Sequence, residues 1–261
     1  MSTKGEWKTD VGLGPVVGVF SGLFGVGGGV IAVPAFRLLA KMEPKPAHAT
    51  SLVAVCVIAS AGAASFAAGG EVHWGAAAAL AAGGAAGSQL GALILRKVTG
   101  KQLTIAFGIF LLGVAAWFLS GAATESVGWT LGGLVDALIY LAVGVGAGTL
   151  SAFMGVGGGV IMIPALVLVG GFDQHLAEGT SLAAMVPISL IGAARLTKDK
   201  YPDWGRGVRV GIAGALLAPV GAFLAMKLDA VMLQRLFALC ITAVAIQLIY
   251  STMRKPKPEK A

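Results

Sequence analysis

The chain has 261 residues, of which 57% are hydrophobic and 12% charged, with a mean hydropathy of +0.87. Soluble globular domains carry about 25% charged residues and about 7% glycine, so 40 glycines with so little charge exclude a water-soluble enzyme and a disordered chain, and the absence of a three-residue glycine period excludes collagen. The net charge of +7 does not signal nucleic acid, because Lys and Arg fall in short gaps between apolar runs with no aromatic interleaving, and the implied environment is a lipid bilayer.

Met1–Asp10 is polar and lacks the apolar core of a cleavable signal, so it is expected to be retained. Four apolar stretches follow, over about Val11–Ala40, Ala47–Ala68, Trp74–Leu95 and Leu103–Ser120. Four more run over about Thr130–Gly170, Ala177–Ala194, Gly205–Met226 and Ala230–Ser251, and the basic run Arg254–Lys260 reads as a solvated end. Three stretches in each set have the roughly 20-residue length of one spanning helix. The first of each set is longer and is interrupted by three consecutive glycines. Cys56 and Cys240 lie inside apolar runs, outside any CxxC or Cys/His cluster, and read as small buried hydrophobes. No metal or cofactor is expected.

The two sets repeat one pattern. A gapless shift of 130 residues lays the run from Ser21 to Ile31 (SGLFGVGGGVI) on the run from Ser151 to Ile161 (SAFMGVGGGVI). The same shift lays Pro34-Ala35 on Pro164-Ala165, Thr50-Ser51-Leu52 on Thr180-Ser181-Leu182 and Trp74-Gly75 on Trp204-Gly205. This duplication predicts two membrane repeats, residues 1–125 and 126–261, intertwined in one transmembrane domain.

Basic residues decide the path of the interrupted stretches, since Lys and Arg collect on the cytoplasmic side. If every stretch crossed once, the 19 basic residues would divide 11 to 8; if each interrupted stretch enters and returns, only Lys227 and Arg235 fall outside and the division is 17 to 2. The expected fold is therefore all-α and integral to the membrane, with two inverted-topology repeats of about 130 residues. Each repeat is a glycine-broken helical hairpin followed by three transmembrane helices. Both termini and the Arg195–Arg209 loop then lie in the cytoplasm, Gly121–Gly128 lies outside, and Trp74 and Trp204 sit at opposite interfaces. The arm Leu131–Phe153 is long enough to span by itself.

At Gly25, Gly27, Gly28 and Gly29, and again at Gly155, Gly157, Gly158 and Gly159, a helix should stop inside the membrane and a new one start. Three glycines in a row serve backbone geometry, whereas Gly83, Gly87 and Gly91, like Gly14, Gly18 and Gly22, have the four-residue spacing of close helix packing. Each restarted helix points free N–H groups and a positive dipole end inward, and two such ends make a small-anion site near the midplane.

The pattern GVGGGVIAVPAF, repeated as GVGGGVIMIPAL, with TSL about 20 residues after each glycine cluster, resembles the TauE/SafE family over essentially the whole chain. That resemblance implies a multi-pass secondary transporter, an exporter of a small anion, in the bacterial cytoplasmic (inner) membrane. The substrate it implies is sulfite, sulfoacetate or a related organosulfur oxyanion. The dipole argument reaches a small anion independently; the sulfur comes from the resemblance alone.

Thr50, Ser51, Thr180 and Ser181 stand near helix starts, either as caps or as hydroxyl donors to the anion. His48 and Glu178 occupy equivalent positions just before them, with an interfacial role or coupling to H+ or Na+ as the two readings. Asp136 reads as the most deeply placed acid, Arg195 as a snorkelling or anion-attracting cation, and Gln89 and Gln247 as interhelical hydrogen bonders. An intramembrane enzyme is not expected, because HExxH is absent and His48, His73 and His175 all fall in or beside loops. A passive anion channel, or a carrier for a non-sulfur organic anion, are the alternatives; inverted halves suit alternating access better than a channel.

Overall fold

The computed structural model describes residues 4–120 and 133–253, with side chains from Asp10 onward apart from those of residues 230 and 234. The segment Gly121–Gly128, the repeat boundary at 125/126 and the basic run from Arg254 lie outside the described residues. The elements among the described residues are all helices: α1 (Lys4–Phe24), α2 (Gly29–Leu38), α3 (Pro44–Ala68), α4 (Trp74–Lys97), α5 (Gly100–Leu119), α6 (Leu134–Met154), α7 (Gly159–Leu168), α8 (Gln174–Thr197), α9 (Trp204–Ala215), α10 (Ala218–Ala225) and α11 (Ala230–Met253).

Six described helices, α3, α4, α5, α6, α8 and α11, are long and apolar enough to cross a membrane. α6 reaches that length alone, as the sequence indicates for its segment. The stretch Gly205–Met226, expected as one span, is instead two helices, α9 and α10, meeting at 45°. Pro219, in the first turn of α10, accounts for the break, since it has no N–H to donate and its ring crowds the preceding turn. Gln89 stands at the equivalent position 130 residues earlier, and α4 runs unbroken.

Contacts at the helix ends show where each broken stretch begins and finishes. Asp10, in α1, pairs with Arg206 and Arg209 at the start of α9, at 3.0 and 2.7 Å. Arg37, in the last turn of α2, donates to Thr104 near the start of α5 at 2.5 Å. These ends belong to one face, where Arg96 at the end of α4 pairs with Asp199 after α8 at 2.8 Å and Lys45 reaches the Arg96 carbonyl. α1 therefore starts, and α2 ends, on the same side. Tyr140, in α6, packs on Phe172, just after α7, and Phe172 on His73, at centroid separations of 6.0 and 5.3 Å.

α3 packs against α8 and α5 against α11, while α6 lies along α4 and α1 along α9 and α10. Each broken hairpin thus rests on helices from the other half of the chain. Small residues set the spacing, as expected from Gly83, Gly87 and Gly91. A Cβ on Gly87 would fall 2.0 Å from the Val145 carbonyl oxygen, one on Gly18 2.0 Å from that of Gly214, and one on Gly148 2.1 Å from that of Gly84. Lipid does not drive helices together, so this backbone-to-backbone approach, helped by a Thr149 hydroxyl bond to the Gly87 carbonyl at 3.1 Å, is what holds the pairs.

Two glycines on α6 separate packing from helix propensity. Gly146→Ala meets nothing within 4 Å and should stabilise by up to about 1 kcal/mol. Gly148→Ala should destabilise by about 1–3 kcal/mol through overpacking against α4. Thermal unfolding of both variants in one detergent, read by tryptophan fluorescence, checks the sign of each shift.

Candidate functional site

Between α1 and α2, and between α6 and α7, the backbone leaves the helix at the glycine clusters. Gly28 and Gly158 stand directly before α2 and α7 with φ of 72° and 92°, a left-handed conformation that only glycine adopts at no steric cost. Gly25, Gly27, Gly155 and Gly157 also have positive φ. The two loops touch. A Cβ on Gly29 would lie 2.6 Å from the Gly155 carbonyl oxygen, and one on Gly159 2.9 Å from the Val26 Cα. Beside them stand Val55 and Met185, which are equivalent by the 130-residue shift, and a Cβ on Gly27 or Gly157 would strike both.

No side chain caps α2 or α7. The first amides of each to find an acceptor are those of Ile31 and Ala32, on the Gly28 carbonyl, and those of Ile161 and Met162, on the Gly158 carbonyl. Two helix N-termini therefore meet at the centre with their leading amides unaccepted among the described residues. The hydroxyls of Ser21, Ser151 and Ser189 are buried nearby without partners. Ser21 lies against Gly28 and Ser189 against Gly157. This is a cluster of neutral donors with no guanidinium or ammonium group in it. The two loops pack directly on each other, and the void beside the second, lined by Leu150, Met154, Val156 and Gly158, has no room for a water molecule.

Thr50 and Thr180 lie in the second turns of α3 and α8, past the helix starts, and do not cap their own helices. Instead each accepts a backbone N–H from the residue that precedes a helix of the other half. The His73 amide donates to Thr180 Oγ1 and the Asp203 amide to Thr50 Oγ1, both at 2.9 Å. Ser51 Oγ donates to the Gly155 carbonyl at 2.6 Å and Ser181 Oγ to the Gly25 carbonyl at 3.3 Å. All four hydroxyls are buried and brace the glycine loops or the chain beside them from the opposite half.

His48 and Glu178 stand one turn outside these braces, both fully buried. His48 Nδ1 meets the Met154 carbonyl, which only accepts, so Nδ1 carries the proton and Nε2 is a buried acceptor without a partner. Glu178 Oε1 accepts from Gln174 Nε2 at 2.7 Å, its Oε2 is buried without a hydrogen bond, and its stem packs on Gly25. Asp136 is not the deepest acid: it lies half-exposed in the first turn of α6, where a carboxylate suits the helix dipole. The deepest described acids are Asp10 and Glu178, each 0% exposed. Arg195 is exposed in the last turn of α8, away from the loops. Gln89 and Gln247 are exposed and, among the described residues, bridge no helices, contrary to expectation.

The family of membrane proteins described as sulfite exporter TauE/SafE matches residues 2–121 and 140–261. The chain belongs to the TauE/SafE family. A Xylella fastidiosa relative described as a probable membrane transporter protein is 31% identical over 250 residues, covering 92% of this chain and 94% of its own. The Bacillus subtilis probable membrane transporter protein YunE is 21% identical over 260 residues, covering 91% and 95%. The Methanocaldococcus jannaschii probable membrane transporter protein MJ0441 is 29% identical over 121 residues, covering 43% and 45%. No solved structure gives a significant match. This TauE/SafE member is a multi-pass membrane transporter, in which lipid surrounds the apolar helices.

Sequence reasoning passes over Ser21, Ser151 and Ser189 as candidates. The first two recur at the 130-residue shift inside the glycine motif itself, which is signal enough to find them; Ser189 has Ala59 as its equivalent and leaves no such trace. The Asp10 pairing to Arg206 and Arg209 joins residues about 200 apart in sequence, and no local pattern announces it.

The threonine braces can be tested by isosteric change. Thr180→Val and Thr50→Val each leave a backbone N–H without its acceptor and should cost about 1–3 kcal/mol of stability. The double variant should cost about the sum, because the two bonds lie apart. Chemical denaturation in detergent micelles measures all three.

Proposed function

We propose that this transporter exports a small anion, sulfite, sulfoacetate or a related organosulfur oxyanion, across the bacterial cytoplasmic membrane. It does so by alternating access between two inverted repeats, residues 1–125 and 126–261, with both termini in the cytoplasm. The observation that carries this reading is the meeting of two glycine loops, each presenting unaccepted amides at a helix N-terminus. The family description supplies the sulfur.

Support for a two-fold relation between the halves comes from reciprocal contacts. Thr50 with Asp203 and Thr180 with His73 are one contact with the halves exchanged, and so are Ser51 with Gly155 and Ser181 with Gly25. Gly18 on Gly214 and Gly148 on Gly84 repeat it in the helix packing. A two-fold relation between halves that start on opposite faces generates such pairs.

In this reading the anion lies between the loops, held by the amides of Gly27–Gly29 and Gly157–Gly159 with the hydroxyls of Ser21, Ser151 and Ser189. Thr50, Ser51, Thr180 and Ser181 fix the loops that hold it. Each helix end contributes about half a positive charge, worth about 0.3–1 kcal/mol when exposed and up to about 2 kcal/mol when partly buried. Two ends give selectivity for an anion without binding it so tightly that release stalls. Because the loops are closed on each other, loading requires them to part, which favours a carrier. His48 and Glu178, buried at equivalent places next to the loops, are the groups placed to couple a proton to that movement.

Reconstituted protein should show saturable sulfite flux with trans-acceleration, sulfite on the far side speeding exchange of labelled sulfite. Gly158→Leu and Gly28→Leu place a side chain on a left-handed residue in the loop and should reduce flux to the level of empty liposomes while the protein stays monodisperse. Normal flux through both variants would return these glycines to a packing role.

A further inference from the structure

A second polar site lies on the face where α1 starts and α2 ends. Arg37, Lys101, Thr104, Ser251 and Thr252 line a pocket of about 360 Å³ between the end of α2, the starts of α3 and α5 and the end of α11. Among the described residues no carboxylate lines it. Among the described residues neither Arg37 nor Lys101 has an acidic partner. One guanidinium nitrogen of Arg37 is anchored on Thr104 Oγ1 at 2.5 Å, and its Nε is buried with no acceptor at all. The hydroxyls of Thr104, Ser251 and Thr252 donate back to carbonyls of their own helices at 2.8–2.9 Å. The donors left for a ligand are therefore the two cations, which is the demand of an oxyanion.

The other half of the duplication does not carry this chemistry. Val167 stands at the position equivalent to Arg37, and Val231 at that of Lys101. The void at the opposite end, lined by Phe24, Phe118, Gln174, Glu178 and Phe237, measures about 10 Å³ and contains a carboxylate. The pocket at one end is thus cationic, while the small void at the other is acidic and apolar. Arg37 is eight residues from Gly29 along α2, a rise of about 12 Å at 1.5 Å per residue. One short helix connects the cationic pocket to the glycine loop.

We propose that Arg37 and Lys101 hold an oxyanion in this pocket, a loading site on one face from which the anion passes to the glycine loops. Its place in a transport cycle rests on the anion-carrier reading above; the binding itself does not. Two sources offer the same chemistry, a free oxyanion and the phosphate of a lipid headgroup, and we assign the free oxyanion, because loading requires a ligand that leaves.

The test uses the full chain with Cys56→Ser, Cys240→Ser and Thr252→Cys, labelled with a thiol reagent in detergent. Sulfate, which does not react with the thiol reagent, should slow labelling several-fold in a saturable way, and chloride at matched ionic strength should not. Arg37→Gln should abolish the protection and Arg37→Lys should retain part of it. If Arg37→Gln does not fold, Lys101→Gln, on an exposed side chain, should still raise the protecting concentration at least threefold. Protection that is absent in the parent, or undiminished in Arg37→Gln, overturns the proposal. So does shielding of the cysteine in phosphatidylglycerol nanodiscs but not phosphatidylcholine nanodiscs without added anion, which would make the ligand a lipid. A Gly158→Leu chain that keeps the protection while losing flux separates the two sites. Protection in a wild-type-like chain that moves no sulfur oxyanion refutes the carrier reading and leaves the pocket standing.

Discussion

Hydrocarbon supplies no hydrogen-bond partner, so backbone that leaves the helix at membrane depth costs several kcal/mol per polar group unless protein or a polar cavity receives it. This chain leaves the helix twice, at Gly25–Gly28 and Gly155–Gly158, and the rest of the structure answers that demand. The first carbonyl of each loop accepts a serine hydroxyl from the other half, Ser51 on Gly155 and Ser181 on Gly25. α3 and α8, which carry those serines, pack against each other through the centre. The small residues along α1, α4, α6, α9 and α10 bring the flanking helices near enough to shield what remains. Among the described residues the leading amides of α2 and α7 keep no acceptor, and the two loops that carry them touch.

The frame is two-fold in its contacts while its ionisable residues are not. His48 faces Glu178 across the duplication, Arg37 faces Val167, and Asp10 faces Tyr140. In the proposed carrier reading the two faces present the same central site, and the repeated glycines and serines support that. A carrier also needs those faces to differ if transport is to have a direction or a coupling. The diverged positions lie at the ends of the central helices and next to the loops, where differences act on loading and release without altering the donors at the centre.

The frame was legible because it rests on spacing. Glycine clusters at a constant 130-residue shift mark both breaks, where the helices stop and restart. Side-chain direction was not legible. Thr50 and Ser51 are adjacent, but their hydroxyls brace different elements of the opposite half, which a linear pattern does not encode. In the sequence Arg37 marks only orientation, because the pocket around it is closed by α5 and α11, which lie far away along the chain. Pro219 bends a stretch whose hydropathy reads as continuous, and the depth of Asp136 was misjudged because α6 begins only at Leu134.

Backbone amides as the anion's ligands are the centre of this account, and backbone resonances report on them directly. Protein labelled with ¹⁵N-glycine and reconstituted in nanodiscs would be titrated with sulfite and, separately, with dimethyl sulfoxide as an uncharged pyramidal analogue. The amide signals of Gly28, Gly29, Gly158 and Gly159 should move saturably with sulfite and stay in place with the neutral compound. Loop glycine signals that do not move at sulfite concentrations saturating transport would show that the anion is held elsewhere.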